Sequence, residues 1–351
     1  MSGVFHSKLT VGAKLGNGHF GEVYEADDPV HGKIAVKIIA RDKAMHPSEV
    51  HDDTKWEVRK ASIHKEAQFL SRATHRNVVP VHSINETPDG NSVQICMAFC
   101  PGGSYQSVFD KAPMTLSAAR KLGTEVLLGL GALHARGMLH RDIKPGNILC
   151  DAAGVAQISD FGLVTDDLIL GYGSQAGYSD HIAFEIWQGG GTSIKSDIWA
   201  FGMTMFRMLH GKTWYEEAPS PQRIVQLGNF ADTLKWLPHI PPNWRRAIRA
   251  MLRDDPAKRF QNSAQAMNAM SALATSPEWT VSVAPELVRW ELLSRTRKNV
   301  VEWHRESARK HHWSAWSEPL GTGGRHMTLG GSNGTIGRSQ AVAEIEGYFR
   351  S

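Results

Sequence analysis

The sequence HRDIKPGNILCDAAGVAQISDFG, residues 140–162, gathers an uncommon set of polar groups in a short span. It contains the carboxylates of Asp142 and Asp160, together with the amide of Asn147 and the ammonium group of Lys144. Carboxylate and amide oxygens are the ligands that Mg²⁺ prefers, and a carboxylate can also relieve a hydroxyl of its proton. A lysine can offset negative charge on a moving phosphoryl group. The stretch therefore has the residue types that phosphoryl transfer from a nucleotide requires.

A glycine-rich stretch, GNGHFGEV at residues 16–23, precedes this segment near the N-terminus. Because glycines have no Cβ, those at 16, 18 and 21 can let a hairpin lie close over phosphates. The pattern is weak on its own, since dinucleotide-binding folds share it and then continue directly into a helix. Here residues 22–26 and 33–39 both favour strands instead. Lys37 lies inside the apolar run IAVKII, which favours a buried functional lysine over one at a strand edge.

These motifs together resemble the catalytic, metal-binding and glycine-rich loops of eukaryotic-type protein kinases. The resemblance extends over about residues 9–275, including SDIWAFG at 196–202 and DPAKRF at 255–260. It implies an α+β, bilobal fold with a β-rich N-lobe at about 9–97, a hinge at 98–104 and a mostly helical C-lobe at 105–275. It also implies that Asp197 binds the backbone of the HRD turn and that Arg259 pairs with Glu185.

The resemblance implies roles for the motif residues, with ATP and Mg²⁺ (or Mn²⁺) as cofactors. Asp142 would orient the acceptor, Lys144 would steady the γ-phosphate, and Asn147 and Asp160 would hold the metal. Lys37 would position the α- and β-phosphates. Its expected partner is Glu66, on a helix predicted over residues 59–73; the alternative, Glu57, precedes the clear helical pattern. The expected nucleotide-binding residues are Gly16, Asn17, Gly18, Gly21, Val23, Ala35, Lys37, Glu66, Met97, Phe99, Cys100 and Leu149.

The same resemblance implies the acceptor and a mode of regulation. Lys144, two residues after the catalytic Asp142, is typical of kinases that modify protein Ser and Thr. Arg141 is the feature shared by kinases that are switched by phosphorylation, and it would be an unpaired cation until an anion arrives. We expect autophosphorylation in the activation segment, although Asp166 and Asp167 could already supply that anion. The candidate sites are Thr165, Ser174 and Ser179.

The segment that ends at Glu185 departs from the family pattern. Tyr178, His181 and Phe184 stand where Thr, Tyr and Pro are usual. These departures leave an alternative function, a nucleotide-binding scaffold without turnover that signals through its C-terminal region. A kinase for small molecules is less consistent, because such enzymes usually shorten or lose the activation segment and the glycine-rich hairpin.

Residues 277–351 resemble no element of that family. Three segments, at 287–293, 299–305 and 311–318, alternate apolar and polar residues with period two, which predicts strands. Their tryptophans are expected to bury one ring each on a shared face: Trp290, Trp303, Trp313 and Trp316. The glycine-rich residues 321–337 are predicted to form a loop, and residues 340–349 a helix. We therefore expect a small β-rich accessory domain that regulates the kinase or docks a partner.

Composition predicts a cytoplasmic protein. The 351 residues carry a net charge of only +4, so no nucleic-acid partner is expected. The cysteines at 96, 100 and 150 are sparse and odd in number, which indicates reduced thiols. No run of about 18 apolar residues exists, so no membrane span is expected. The compact loops suggest a bacterial or phage-encoded member of the family.

Overall fold

The structure is a computed structural model that describes residues 9–18, 21–45, 49–72, 74–160, 179–321 and 324–350. Its N-terminal lobe is an antiparallel sheet of strands β1 (Thr10–Gly18), β2 (Gly21–Asp28), β3 (Gly32–Ala40), β4 (Val81–Glu86) and β5 (Ser92–Ala98). The strands pair in the order β1-β2-β3-β5-β4. Helices α1 (Arg41–Ala44) and α2 (Asp53–Arg72) follow β3. Apolar side chains cover both faces of the central strand β3, which explains its nearly continuous hydrophobic sequence.

Helix α2 begins earlier than the sequence pattern predicted. Residues 53–58 show no apolar stripe, yet Trp56 is buried there and donates its indole N–H to Gly90 O at 2.7 Å. Glu57 therefore lies inside the helix rather than before it, and its Oε1 is 2.8 Å from Lys60 Nζ. A single buried aromatic ring thus extends the helix where periodicity gave no signal.

The C-terminal lobe is helical and is built around one buried helix. Its helices are α3 (Tyr105–Lys111), α4 (Leu116–His134), α5 (Phe184–Trp187), α6 (Ile194–Tyr215), α7 (Gln222–Leu227), α8 (Phe230–Thr233), α9 (Pro242–Met251) and α10 (Ser263–Ser271). Helix α6 is buried on all sides from Ser196 to Gly211, as its apolar sequence predicted. A short hairpin of β6 (Ile148–Cys150) and β7 (Ala156–Ile158) follows the 3₁₀ turn Pro145–Asn147 and carries the catalytic loop.

The C-terminal region is a second antiparallel sheet, which confirms the β-rich prediction. Strands β8 (Thr280–Val283), β9 (Leu287–Leu293), β10 (Arg297–Arg305), β11 (His311–Pro319) and β12 (Met327–Gly331) pair in chain order, and α11 (Arg338–Arg350) follows. The prediction that residues 321–337 are only a loop was wrong in part. Within that stretch, Met327–Gly331 pairs with β11.

The tryptophans of this sheet do not all share one face. Trp290 and Trp303 are fully buried and Trp313 nearly so, on the face that packs against the C-lobe. Trp316 follows Trp313 by three positions, and an odd offset places a side chain on the opposite face of a strand. Its ring lies on that outer face, 5.9 Å from the guanidinium of Arg289. The expectation of a shared face was therefore wrong for Trp316.

The C-terminal sheet packs against the C-lobe through aromatic rings and ion pairs. The ring centroids of Trp303 and Trp214 are 6.2 Å apart, and those of Trp290 and His239 are also 6.2 Å apart. Arg245 Nη1 of α9 lies 2.5 Å from Glu346 Oε1 of α11. One continuous apolar cluster runs from Ala35 in the N-lobe to Ile345 in α11. In the described part of the chain, no helix is long and apolar enough to span a membrane.

Candidate active site

The HRD turn is held in shape by a buried carboxylate of α6. Asp197 accepts the backbone N–H groups of His140 and Arg141, each at 2.8 Å, and also contacts His134 Nε2 at 2.9 Å. Arg141 has a φ of 67°, a left-handed conformation that costs energy for a residue with a Cβ. The two hydrogen bonds from Asp197 stabilise that conformation, in agreement with the role that the family resemblance implied.

Three of the predicted side chains meet directly at the catalytic loop. Asp142 Oδ2 lies 2.9 Å from Lys144 Nζ and accepts a hydrogen bond from Asn147 Nδ2 at 2.6 Å. Asn147 Nδ2 also donates to the backbone oxygen of Asp142 at 2.9 Å. Two donors therefore fix the orientation of a buried carboxylate, as is needed for a group that must receive a proton at a defined position.

Lys37 lies opposite this cluster and pairs with the second carboxylate. Its Nζ is 2.8 Å from Asp160 Oδ1, and its side chain is only 1% exposed. Asp160 adopts a φ of 58°, a left-handed conformation that is uncommon for a residue with a Cβ. Burial alone would raise the pKa of Asp160, but the positive charges of Lys37 and Lys144 outweigh burial and lower that pKa. Asp160 is therefore ionised, as a metal ligand must be.

Burial also lowers the pKa of two neighbouring groups. It lowers the pKa of Lys144, although the charge of Asp142 opposes the change. It lowers the pKa of His140, whose Nδ1 accepts the backbone N–H of Asp142 at 3.2 Å. A neutral imidazole at this position supports the loop without placing a further positive charge beside Lys144.

The predicted nucleotide-binding residues are divided between the N-lobe strands, the hinge and strand β6 of the C-lobe. Ala35 and Met97 are buried in paired strands, and Val23 and Leu149 pack against the same apolar cluster. Phe99 and Cys100 follow β5 at the expected hinge, where burial raises the pKa of the Cys100 thiol to about 11. The remaining glycine-loop residues end β1 and begin β2: Gly16, Asn17, Gly18 and Gly21.

Some of the predicted residues fall outside the described ones. These are the side chains of Glu66 and Ser179, and the whole of Thr165, Ser174 and Tyr178. Arg141 is described, and its Nε donates to the neutral hydroxyl oxygen Thr192 Oγ1 at 3.1 Å. The pairing of Lys37 with Glu66 and the phosphorylation sites therefore stay predictions.

The end of the activation segment is joined to the C-lobe by contacts that the sequence predicted only in part. Arg259 binds Glu185 through two N–H groups, at 2.7 and 2.6 Å, as expected. A second pair of contacts was not predicted from the sequence: Asp180 accepts from Tyr215, and His181 contacts Arg207. These partners are 26 and 35 positions apart, so local patterns carried no signal for them.

Comparison with known proteins agrees with this geometry. The family model for the protein kinase domain matches residues 9–272. The chain belongs to the protein kinase family. It is 31% identical over 256 residues to the hormonally up-regulated neu tumor-associated kinase homolog A of Xenopus laevis, covering 71% of this chain and 36% of that protein.

Two further relatives of this kinase come from other kingdoms. The serine/threonine-protein kinase PknD of Mycobacterium tuberculosis is 30% identical over 75% of this chain and 39% of its own length. The CBL-interacting serine/threonine-protein kinase 5 of Arabidopsis thaliana is 28% identical over 73% of this chain and 56% of its own length. The chain thus spans about a third to a half of these relatives. Their range of sources does not decide between a bacterial and another origin.

The donor set of the kinase site fits a divalent cation and a nucleotide. Asn147 uses its Nδ2 for Asp142, so its amide oxygen is the atom suited to a cation. The ionised Asp160 supplies a second oxygen. Mg²⁺ is commonly bound by one or two carboxylates together with substrate phosphates and water, so two protein ligands are sufficient. Lys37 and Lys144 add positive charge on the two sides of Asp160.

A basic cleft of 650 Å³ lies elsewhere on the C-lobe, between α8, α9 and the end of α11. Its lining includes aspartates and these cations: Arg245, Arg246, Arg249, Arg253, Lys258 and Arg350. Arg245 and Arg350 both bind Glu346, and Lys258 lies 3.5 Å from Asp255. Acidic side chains therefore already pair with several of these cations. The lining of this cleft shares no residue with the catalytic loop.

Proposed function

We propose that this chain is an ATP- and Mg²⁺-dependent serine/threonine protein kinase. The observation that carries the proposal is the arrangement of Asp142, Lys144 and Asn147 opposite the Lys37–Asp160 pair. One side of the cleft thus offers a carboxylate held by two donors, and the other offers a cation beside an ionised ligand. Phosphoryl transfer depends mainly on such positioning and charge stabilisation.

Each residue has a distinct role in the proposed reaction. Asp142 orients the acceptor hydroxyl and receives its proton. Lys144 stabilises negative charge on the transferred group, and Lys37 binds the phosphates that are left behind. Asn147 and Asp160 hold Mg²⁺, which when bound offsets phosphate charge.

Protein Ser and Thr residues are the proposed acceptors. Lys144, two residues after Asp142, supports this acceptor class, and two of the similar proteins carry serine/threonine kinase in their names. We also propose autophosphorylation at Thr165, Ser174 or Ser179, with Arg141 attracting the added phosphate.

A cytoplasmic location is part of the proposal. The described cysteines Cys96, Cys100 and Cys150 are all free thiols, which supports a reducing compartment. A protein partner that docks on the C-terminal sheet is likewise proposed, since this region carries no known element of the kinase family. The rival function, a scaffold without turnover, is supported by the departures at Tyr178, His181 and Phe184.

Two substitutions separate the kinase from the scaffold. Asp142→Asn should leave nucleotide binding nearly unchanged and lower the rate of transfer roughly 100-fold or more, since a positioned base contributes about that much. Asp160→Ala should abolish transfer and also weaken Mg-ATP binding. The measurement is transfer of labelled phosphate from ATP, with phosphosites mapped by mass spectrometry and nucleotide affinity measured by calorimetry.

The matched control is Asp27→Asn, which changes an exposed carboxylate on β2. It should behave like the unmodified chain in both assays. An unmodified chain that binds Mg-ATP but transfers no phosphate to itself or to any added protein would favour the scaffold.

A further inference from the structure

The last turn of α6 is set apart from the rest of that helix. Gly211 has a φ of 67° and a ψ of 165°, which are not helical values, so residues 212–215 form a separate turn. A Cβ at this position would lie 2.7 Å from the backbone nitrogen of Pro113. Glycine is therefore required both by the positive φ and by the close approach of Pro113. Because the helical hydrogen-bond pattern is interrupted there, the placement of the turn depends on its side-chain contacts.

One set of those contacts reaches the C-terminal sheet. Glu217, just after the turn, accepts from Arg305 Nη1 at 2.5 Å and from Arg338 Nη2 at 3.3 Å. The Arg305 guanidinium also lies 5.8 Å from the ring of Trp214 and 5.6 Å from that of Trp303. Arg305 is buried, and a buried cation that loses its anion is costly. The sheet and the turn are therefore tied together by charge and by aromatic packing.

A second set of contacts reaches the end of the activation segment. Tyr215 donates its hydroxyl to Asp180 Oδ2 at 2.8 Å, and Ser220 donates to Asp180 Oδ1 at 3.1 Å. The guanidinium of Arg207 lies 5.0 Å from the Tyr215 ring, and its Nη1 is 2.7 Å from His181 Nε2. Asp180 and His181 are both buried, so these contacts are shielded from water.

The tautomer of His181 follows from its partners. A guanidinium has only donors, so His181 Nε2 accepts from Arg207, and the proton is on Nδ1, which faces Ala200 O at 3.4 Å. Burial, together with the charge of Arg207, lowers the pKa of His181 well below its usual value. The same oxygen, Ala200 O, accepts from Thr204 Oγ1 at 2.9 Å, and that hydroxyl also lies 3.4 Å from the backbone oxygen of Ile143, between Asp142 and Lys144 in the catalytic loop.

We propose that this turn positions the acceptor side of the active site and that the C-terminal sheet determines where the turn lies. The positioning residues are Asp180, His181, Arg207 and Tyr215. The inference rests on the proposed protein kinase function and adds a regulatory role for the C-terminal region. Lys37 and Asp160 belong to other elements, so a disturbed sheet should alter the use of the acceptor and leave nucleotide binding unchanged.

The first test measures placement without relying on activity. Glu217→Gln and Arg305→Met each remove the ion pair, and hydrogen exchange followed by mass spectrometry reports on residues 179–187. We expect exchange there to become roughly 5-fold faster or more, the lower range of coupling between sites, with strand β3 unchanged. Lys298→Met is the control, because it removes an ion pair with Glu318 on the outer face of the same sheet.

The second test separates positioning from stability. Tyr215→Phe removes only the hydroxyl that binds Asp180, and casein serves as the acceptor protein. The Michaelis constant for casein should rise roughly 5-fold or more, while that for ATP stays within about twofold. A role in stability alone would instead lower the melting temperature and affect both substrates equally.

The two tests distinguish a failure of the proposed kinase function from a failure of the inference about the turn. An unmodified chain that phosphorylates neither itself nor casein would remove the proposed function, yet the exchange measurement would still report whether the sheet holds the turn. Exchange at residues 179–187 that stays at the level of Lys298→Met in both ion-pair variants would overturn the inference.

Discussion

At the scale of single residues, the chemistry follows from charges placed in apolar surroundings. Asp142, Lys144 and Asn147 were predictable because they lie within six positions of one another, so a short motif brings them together. Asp180 and Tyr215 were not predictable, because only the path of the chain brings them into contact. Lys37 is intermediate: its apolar neighbours predicted that it is buried, whereas its contact with Asp160 appears only in the structure.

Lys37→Met tests the residue that we propose binds the phosphates. The substitution keeps the length of the side chain but removes the charge that lies beside Asp160, so the pKa of Asp160 should rise. We expect a folded protein whose affinity for Mg-ATP falls roughly 10-fold or more, equivalent to about 1.4 kcal/mol. Calorimetric titration with Mg-ATP, together with a thermal melt, measures both properties.

Lys55→Met is the control for that experiment, because Lys55 lies on the exposed side of α2 and pairs with Glu49 at the surface. Its nucleotide affinity should not change. Full affinity in Lys37→Met would mean that another cation binds the phosphates.

At the scale of elements, two features decide how the sequence relates to the structure. One is the face of a strand on which each side chain lies, and the other is the space that each glycine leaves for a neighbouring backbone. The alternation of apolar and polar residues predicted where the C-terminal strands lie. Trp313 and Trp316 are an odd number of positions apart, and this spacing places them on opposite faces of β11. The early start of α2 was hidden because one buried tryptophan, rather than a stripe, holds its first turns. The glycines of the glycine-rich hairpin also differ from one another: some are required because another strand packs closely against them, and others have open space around them.

Gly21→Ala and Gly16→Ala test that distinction. A Cβ at Gly21 would lie 2.0 Å from the backbone oxygen of Ile38, whereas a Cβ at Gly16 would have no neighbour within 4 Å. Gly21→Ala should therefore force β2 away from β3 and lower the free energy of unfolding by about 1–3 kcal/mol. Gly16→Ala should leave stability nearly unchanged.

Denaturant unfolding of both glycine variants, compared with the unmodified chain, measures the difference between them. Similar stability for both would contradict the view that Gly21 is required by the packing of the two strands. A loss of Mg-ATP affinity in Gly16→Ala at normal stability would assign that glycine to the phosphates.

At the scale of the whole molecule, the C-terminal sheet shares its core with the kinase lobes. The sequence predicted a module of about 75 residues but could not show which surface it covers, because no local pattern encodes a contact between distant segments. In the structure it covers Trp214 and His239 of the C-lobe. Removing residues 277–351 would therefore expose aromatic surface on the kinase body.

His239 lies at the centre of this contact, between the rings of Trp290 and Phe349 at 6.2 and 6.1 Å. Both of its ring nitrogens are buried and lack hydrogen-bond partners among the described residues. Burial, followed by the charges of His210 and Arg245, lowers its pKa to about 3. The folded protein therefore keeps His239 neutral at pH values where the unfolded chain binds a proton.

This difference predicts how stability depends on pH. The unfolded pKa is about 6.5 and the folded one is lower, so His239 costs stability as the pH falls below about 6.5 towards 3. At pH 5 the cost is about 2 kcal/mol. His239→Phe should remove it, so the variant should lose less stability than the unmodified chain between pH 7.5 and 5 in urea unfolding. His51→Phe, at an exposed position, should keep the original dependence. An unchanged pH dependence in His239→Phe would show that the folded protein protonates His239 as readily as the unfolded chain does, and the contact between sheet and kinase body would then have to include an anion that offsets the burial of this imidazole.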